Sequence, residues 1–484
     1  MDISFYAEPS FRIDGSLGRL SVARQPFGGK LCLFGVIFSL WIINVTVSGV
    51  CVMNIGICTL GCKVNQYESQ AMEAQLLARG HKLVPFDSVA DAYLINTCSV
   101  TGVSDKKSRQ MIRKARRQNP NGIVAVCGCY AQTHPEEAAS LEADLVAGTL
   151  DRMAFLDLLE QAEAEKQRMI RIGNVWNARA FEVMPAGSLE GRTRAMLKIE
   201  DGCVNFCTYC IIPYARGRVR SLPIASAVEE ALRLSEEGYQ ELVLTGIEIS
   251  SYGVDLPGSP ALIDLLEALS RAPIGTMRLR LGSLEPRTIT EDFCKRAAAL
   301  PALCPHFHLS LQSGCDTTLQ RMGRKYDTDR FLQSIALLRT YFDRPAITTD
   351  LIVGFPGETE AEFQATLSFL EKCGFSSMHI FPYSKRPGTP AAKMPNQIPA
   401  AEKQARAHRA SQIEARLGQA YLQSCVGRTL QVLFERSEGV RCHGHGENYV
   451  EVYVKGDSLR GQILPVLITE VEGNHLIGIT KMND

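Results

Sequence analysis

From Met53 onward the chain alternates short apolar runs with amphipathic stretches, and this alternation restricts the possible folds more than any other feature. NIGICTLG (54–61), AYLINTCSV (92–100) and IVAVCGCYAQ (123–132) read as buried strands ending in polar loops. NQYESQAMEAQLLARG (65–80) and DKKSRQMIRKARRQNP (105–120) read as helices, the second closed by Asn119 and Pro120. A βαβα series needs crossover connections, so residues 53–190 are expected to form an open parallel sheet. A second series begins near Arg192, with strand candidates AMLKIED, ELVLTG, MRLRLGS, HFHLSLQS, AITTDLIVG and MHIFPYS. Six strands with helical connectors predict a partial (β/α)6 barrel over 191–400, with its functional residues at the strands' C-terminal ends. A charged, alanine-rich helix over 401–422 is expected as a connector. Residues 423–484 then read as a small all-β module. The expected class is α/β with three modules, which suits 484 residues at roughly 150 per domain.

Lysine plus arginine equals aspartate plus glutamate at 52 each, so any nucleic-acid contact must come from local patches. Sixteen cysteines in long αβ alternations argue for free thiols in a reducing compartment, several of them binding metal, and against a secreted disulfide framework. A cytoplasmic location follows. The first 52 residues run against it. Leu31 to Val52 carries no charge and is long enough to span a bilayer, and Arg12, Arg19, Arg24 and Lys30 precede it. Residues 1–52 therefore read either as a non-native upstream extension or as a hydrophobic anchor.

The sharpest chemical signal is KIEDGCVNFCTYCIIPYARGRVRS, where Cys203, Cys207 and Cys210 form C-x3-C-x2-C at the end of the first barrel strand. Three thiolates on a tight loop can cap three irons of a [4Fe–4S] cube and leave the fourth iron open for a ligand. A structural zinc site would want a fourth protein ligand nearby. Tyr209, between the second and third cysteines, is where an aromatic ring could lie against that ligand. Upstream, Cys62 in GCKVNQYES, Cys98 in NTCSVT and Cys129 in CGCYAQ each fall at or just after a strand end. In a parallel sheet those ends share one edge, so the three thiols could converge. Singly, each is as well explained as a buried thiol. Cys58 and Cys127 lie close by, and spacing alone does not choose among the five.

The Cys203–Cys210 motif resembles the radical S-adenosylmethionine (SAM) superfamily, and the upstream trio is similar to that of the methylthiotransferase family within it. The resemblance runs from Met53 to the end, where GHGENYVEV (444–452) is similar to the strand signature of a TRAM module. It implies two [4Fe–4S] clusters, one on Cys62, Cys98 and Cys129 and a SAM-binding one on Cys203, Cys207 and Cys210. It thereby prefers Cys62 to Cys58 and Cys129 to Cys127. CTYCIIPYARGRVRS and SDKKSRQMIRKARRQNP look like the branch that methylthiolates N6-threonylcarbamoyladenosine beside the tRNA anticodon. In that branch one SAM is cleaved to a radical that removes hydrogen from C2, sulfur is inserted, and a second SAM supplies the methyl group. Such turnover needs an external sulfur source and a low-potential electron donor. Rival readings are the isopentenyl-adenosine branch, a branch acting on an aspartate of a ribosomal protein, and an iron–sulfur RNA-binding or electron-transfer protein without SAM turnover.

The same resemblance makes TTDLIVGFPGETEAEF (348–363) part of the SAM pocket, with Gly354 and Gly357 letting backbone approach the ligand; an ordinary βα turn is the plainer alternative. Gly246 and Glu248 end the second barrel strand, where a carboxylate could meet the SAM ammonium. Ser283 and Glu285, and Gln312 and Ser313, end later strands and suggest the pocket rim; a satisfied polar turn is the plainer alternative. For RNA, Lys106, Lys107, Arg109, Arg113, Lys114, Arg116 and Arg117 load one helix with cations, and Arg216, Arg218 and Arg220 follow the catalytic cysteines. Both groups can neutralise phosphates, although a solvated helix face explains such runs equally well. The C-terminal module is not basic overall. RNA binding there would use stacking by Tyr449 or Tyr453, and His443 and His445 are expected on a loop.

Overall fold

The computed structural model describes residues 52–165, 167–184, 193–456 and 458–480. The extension-or-anchor reading of residues 1–52 lies outside the described residues, except for Val52. No helix of the described residues is long and apolar enough to cross a membrane.

The N-terminal module is a six-stranded, all-parallel sheet. Its strands are β1 (Asn54–Thr59), β2 (Lys82–Val84), β3 (Ala92–Thr97), β4 (Ile123–Gly128), β5 (Leu145–Ala147) and β6 (Met169–Arg171), in the order β2-β1-β3-β4-β5-β6. β3 and β4 are buried along their whole length because both faces of the sheet are covered. Ile55, Leu94 and Ala125 face Tyr67 and Met72 of helix α1 (Lys63–Ala78) and Phe155. Tyr93, Ile95, Val124 and Val126 face Ile112 and Ala115 of helix α2 (Gly102–Gln118). Each of the larger aliphatic and aromatic side chains here contributes roughly 1.5–3 kcal/mol on burial, and a charge in β3 or β4 would have no face on which to escape. Helix α2 starts where the Thr101 hydroxyl accepts from the Ser104 amide (3.1 Å) and stops at Asn119, as the Asn–Pro signal required. The three-residue strands β2, β5 and β6 were not legible, being too short for a period to register.

The second module opens with β7 (Arg194–Lys198) and a short ribbon of β8 (Glu200–Asp201) and β9 (Arg220–Ser221). The wall continues through β10 (Glu241–Thr245), β11 (Arg278–Leu281), β12 (Ser283–Leu284), β13 (His306–Gln312), β14 (Ala346–Val353) and β15 (Ser377–Pro382). β7, β10 and β11 form one parallel sheet and β12 to β15 another. β11 and β12 are halves of one strand bent at Gly282, whose amide donates to the Leu244 carbonyl (2.8 Å). All six strand candidates are present, and the wall does not close between β7 and β15.

The 401–422 segment lies within a longer helix, Ala400–Cys425, which packs against the barrel instead of standing free. Arg406 on that helix holds Glu358 (2.7 Å) and Lys403 donates to the Tyr383 carbonyl (3.0 Å). The C-terminal module is a closed five-stranded barrel of β16 (Thr429–Glu438), β17 (Arg441–Gly446), β18 (Glu451–Lys455), β19 (Ile463–Glu472) and β20 (His475–Thr480). Closure leaves it without exposed edges. His443 and His445 sit on β17 and not on a loop. The intervening Gly444 permits this, because a Cβ there would collide with the Leu433 backbone on β16.

Candidate active site

The C-terminal ends of β1, β3 and β4 lie side by side, and each delivers one thiol. Cys62 is the residue on which α1 begins, Cys98 follows β3, and Cys129 opens the short helix α3 (Cys129–Thr133). Gly61, at φ +101°, brings β1 so close to Cys98 that a Cβ there would lie 2.6 Å from its sulfur. Burial, with Cys98 and Cys62 adding to it against the opposing Arg216, pushes the Cys129 thiol up to about 12. The three groups therefore share one electrostatic site. Cys127 does not join them. It is an interior residue of β4, fully buried in the core, and burial pushes its thiol up to about 11. Cys58 faces the other layer of the sheet, against the α2 side.

Asn65, one turn into α1, binds these loops together. Its amide donates to the carbonyls of Leu60 (2.8 Å) and Thr97 (2.9 Å) and its oxygen accepts from Arg216 (2.7 Å). Arg216 was expected to meet RNA phosphates. Instead it is wholly buried: it donates through Nε to the Cys129 sulfur (3.4 Å), grips both oxygens of Glu68, and reaches Asp201 (3.3 Å). Its partner Glu68 also binds Arg152 (2.9 Å) and Lys198 (3.0 Å). Burial by itself would raise Glu68, but Arg152, Arg216 and Lys198 overcome it and hold the carboxyl well below its usual range. Arg220 is buried too, donating to the carbonyls of Arg216 (3.0 Å) and Arg218 (2.8 Å). A guanidinium surrounded by carboxylates and carbonyls is not available to a phosphate.

The second trio lies on the loop after β8. Gly202, at φ +94°, turns the chain there because a Cβ would collide with the Arg218 carbonyl. The Cys203 amide donates to Gly217 (3.0 Å), Thr208 anchors on Met322 (2.9 Å) and Arg321 (2.8 Å), and the Cys210 amide closes on Cys207 (2.9 Å). Burial pushes the Cys210 thiol up to about 12, with Cys207 adding to it, and burial raises Cys203 still further. Arg324 plays the part here that Arg216 plays at the first trio. It donates to the Cys207 sulfur (3.2 Å) and to Glu285 (2.8 Å). Arg386, just after the last barrel strand, ties the barrel to the first trio through Asp105 (2.5 Å) and Ser99 (2.7 Å). Arg324 and Arg386 were not visible as site residues, and Arg216 was visible only as a phosphate contact, because each finds its partners far away in sequence.

The donor sets suit iron–sulfur cubes: three thiols and one guanidinium donor at each trio. Among the described residues no three His, Cys, Asp or Glu side chains are set to hold a single metal ion. Around the second trio the other expected residues divide. Tyr209 packs edge-on against Phe355 (6.4 Å between ring centres), bringing the 348–363 loop onto the cysteine loop. Gly354, at φ +70°, is required for a reason other than ligand approach. A Cβ there would run into Lys403, and its amide is already given to Glu358 (2.7 Å). Gly357, at φ +75°, faces open space beyond Arg321. Gly246 lets the chain pass over Glu200, whose carboxylate would lie 2.8 Å from a Cβ. Glu248 is half-buried beside the buried Glu285 and pushed up to about 7, chiefly by desolvation and then by that neighbour; its oxygens accept from Ser250 and Ser251. Two carboxyls so placed suit a cationic ligand. Ser283 is exposed opposite His308, and Gln312 holds φ +67° at the bulge ending β13.

Of the helix cations, Lys106, Lys107, Arg113 and Arg117 are exposed. Arg109 is paired with Glu137 (3.3 Å) and Lys114 with Asp87. Arg116 is spent on the end of its own helix and on Asp144 (2.5 Å), so it too is withdrawn from the expected phosphate set. Arg218 is exposed and lies over Trp176 (5.8 Å), which stacks on the exposed Phe206 of the cysteine loop (5.6 Å, 8°). This aromatic pair was missed, since Trp176 comes from a segment with no motif.

Residues 54–148 match the family described as Uncharacterized protein family UPF0004, and residues 197–370 match the Radical SAM superfamily. Threonylcarbamoyladenosine tRNA methylthiotransferase MtaB of Bacillus subtilis (strain 168) is 40% identical over 417 residues, spanning 85% of this chain and 92% of that protein. This chain belongs to the radical SAM methylthiotransferase family. The MtaB protein of Thermotoga maritima is 38% identical over 406 residues, spanning 84% and 91%. Among solved structures, the radical S-adenosylmethionine methyltransferase TsrM from Kitasatospora setae, with cobalamin and a [4Fe-4S] cluster bound, superposes with a TM-score of 0.53. At 15% identity over 70% of this chain and 73% of that one, the likeness speaks for the fold alone. The methylthiotransferase assignment sets aside the reading of a non-enzymatic iron–sulfur protein.

Proposed function

We propose that this chain is a tRNA methylthiotransferase that converts N6-threonylcarbamoyladenosine beside the anticodon to its 2-methylthio derivative. The observation that carries the reading is the pairing of two separate thiol trios with one open barrel, in a chain related over most of its length to proteins of that name.

In this reading Cys203, Cys207 and Cys210 hold the cluster that binds SAM, and Cys62, Cys98 and Cys129 hold the second. When bound, the clusters and SAM supply the hydrogen abstraction at C2, the sulfur and the methyl group. The chain's own residues do the rest. Glu248 and Glu285 receive the cationic end of SAM, and Tyr209 and Phe355 cover it from water. Gly246, Ser283, Gln312 and Gly357 shape the rim, and Gly354 holds the 348–363 loop against Lys403 and Glu358. Arg216 and Arg324 donate to one sulfur in each trio, which stabilises the more reduced, more negative state of each cluster. Lys106, Lys107, Arg113, Arg117 and Arg218 neutralise tRNA phosphates. An external sulfur source and a low-potential donor complete the cycle, and the cytoplasm supplies both with tRNA.

Nucleoside mass spectrometry of tRNA from a deletion strain tests the proposal. The methylthio-threonylcarbamoyl nucleoside should vanish while methylthio-isopentenyl-adenosine persists. The reverse pattern would contradict the substrate.

A further inference from the structure

Strand alternation fixes what lines the inside of the open barrel. In register, Arg194, Glu241 and Arg278 form one inner layer, and Met196, Val243 and Arg280 form the next. The C-terminal barrel is fastened across the N-terminal ends of these strands. Arg278 donates to the carbonyls of Gln431 (2.8 Å) and His445 (2.9 Å), and Arg280 to those of Glu447 (2.9 Å) and Gly446 (3.2 Å). Above this floor lies a cavity of about 560 Å³, a size proper to small-ligand sites. All three modules contribute to it: Lys63 and Gln66 from α1, Met196, Val243 and Arg280 from the barrel, and Tyr449 from the C-terminal module.

Tyr449 is the hub of this chamber. It is held at φ +65° and faces His306 and His445, both at 5.0 Å between ring centres. Arg280 (4.8 Å), Arg194 (5.6 Å) and Lys63 (6.0 Å) gather over its ring. Charges around it do not balance. Arg194 is matched by Glu435 (2.5 Å), but Arg278 and Arg280 share the single carboxylate of Glu241 (2.6 and 2.8 Å). Lys63 is exposed at the cavity and has no acidic partner within 4.0 Å among the described residues. Arg436 and Glu451 also line the chamber, and Lys63 adds an unpaired ammonium to it, inside a barrel whose other end holds the cysteine loop. Lys63 also directly follows Cys62, so one helix start presents both a thiol to the first trio and an ammonium to the chamber.

We propose that Lys63, over Tyr449 and beside Arg280, receives the carboxylate of the substituent on N6 of the target adenosine and so selects the threonylcarbamoyl group over an uncharged one. The inference rests on the substrate proposed above. A carboxylate satisfies the lone ammonium with a charge-assisted bond, whereas an apolar isopentenyl chain would bury it without a partner. A site built around a polar partner rejects analogues that lack it more strongly than an apolar pocket rejects an extra group. Lys63 is thus a specificity residue, and Tyr449 and Arg280 are the rigid wall that aims it.

The test uses the reconstituted enzyme with two tRNAs, one bearing the free threonylcarbamoyl group and one with its carboxylate blocked as the methyl ester. The wild type should prefer the free acid roughly tenfold or more in kcat/KM, chiefly through KM. Lys63→Met should abolish the preference by weakening use of the free acid only, and Lys63→Arg should restore most of it. Equal use of the two tRNAs by the wild type, or an undiminished preference in Lys63→Met, would overturn the proposal. The wild-type arm needs no variant, so it decides even if Lys63→Met fails to assemble its clusters. Failure of the wild type to thiolate either tRNA would instead remove the underlying substrate reading.

Discussion

Cys203, Cys207 and Cys210 come from one loop of eight residues, whereas Cys62, Cys98 and Cys129 are spread over 68 residues and meet only because β1, β3 and β4 are neighbours. Their surroundings differ as much as their origins. Arg324, at the loop trio, shares Glu285 with the half-exposed Arg287, and Glu248 stands beside them. At the sheet trio Arg152, Lys198 and Arg216 face Glu68 and Asp201, a buried network with more cations than carboxylates. Buried charge is costly unless compensated, and thiolates bound to the proposed cluster would supply the missing negative charge. The sheet trio is thus built into the joint between two modules, while the loop trio is an insert on a finished barrel.

The largest expected contrast is chemical. Changing Cys203, Cys207 and Cys210 together to alanine should abolish 5′-deoxyadenosine formation from SAM and dithionite. Changing Cys62, Cys98 and Cys129 should leave that cleavage in place and remove only the methylthio product. Chromatographic assay of both compounds separates the two regions, and loss of cleavage in both variants would erase the distinction.

Next comes stability. Arg216→Met strips Glu68 and Asp201 of a buried partner and should cost about 3–5 kcal/mol in urea unfolding. Arg324→Met leaves Glu285 with its second partner, Arg287, and should cost about 1–3 kcal/mol. Equal losses would show that the sheet network is no more critical than the loop.

The two sites should also respond to pH with opposite slopes. Glu68 is held well below its unfolded pKa, so its stabilisation is present above about pH 4.5 and is lost as pH falls below it. Glu248 is raised to about 7, so between about pH 4.5 and 7 the unfolded state ionises while the folded one keeps its proton, and stability declines as pH rises. Glu248→Gln should reduce that decline, as read from urea midpoints across the range, leaving the part due to the likewise raised Glu200 and Glu182.

The smallest effect concerns RNA. Alanine at Lys106, Lys107, Arg113 or Arg117 should reduce the slope of log affinity against log salt by about one per lost phosphate contact. Alanine at Arg109 or Arg116, both already engaged within the protein, should leave that slope alone.

The same contrast explains how much could be read in advance. The loop trio was legible because its three ligands and the strand before them fit in one short window. The choice of Cys129 over Cys127 was not a matter of spacing. It depends on β4 continuing through Gly128, so that Cys127 faces the core beside Ala125 and Cys129 falls beyond the strand end. The phosphate role expected of Arg216 failed for a similar reason: its carboxylate partner, Glu68, lies 148 residues earlier. A cluster of like charges in sequence says nothing of opposite charges brought in by another module. Tyr449 was picked out as an aromatic of the C-terminal module, but only the docking of that module across the barrel turns it inward toward Arg280 and Lys63.

Iron content after anaerobic reconstitution tests the two-trio account most directly. The intact chain should bind about eight irons, and each triple-alanine variant about four. About eight irons retained in the Cys62, Cys98 and Cys129 variant would show that the sheet trio holds no cluster, and the account would fall.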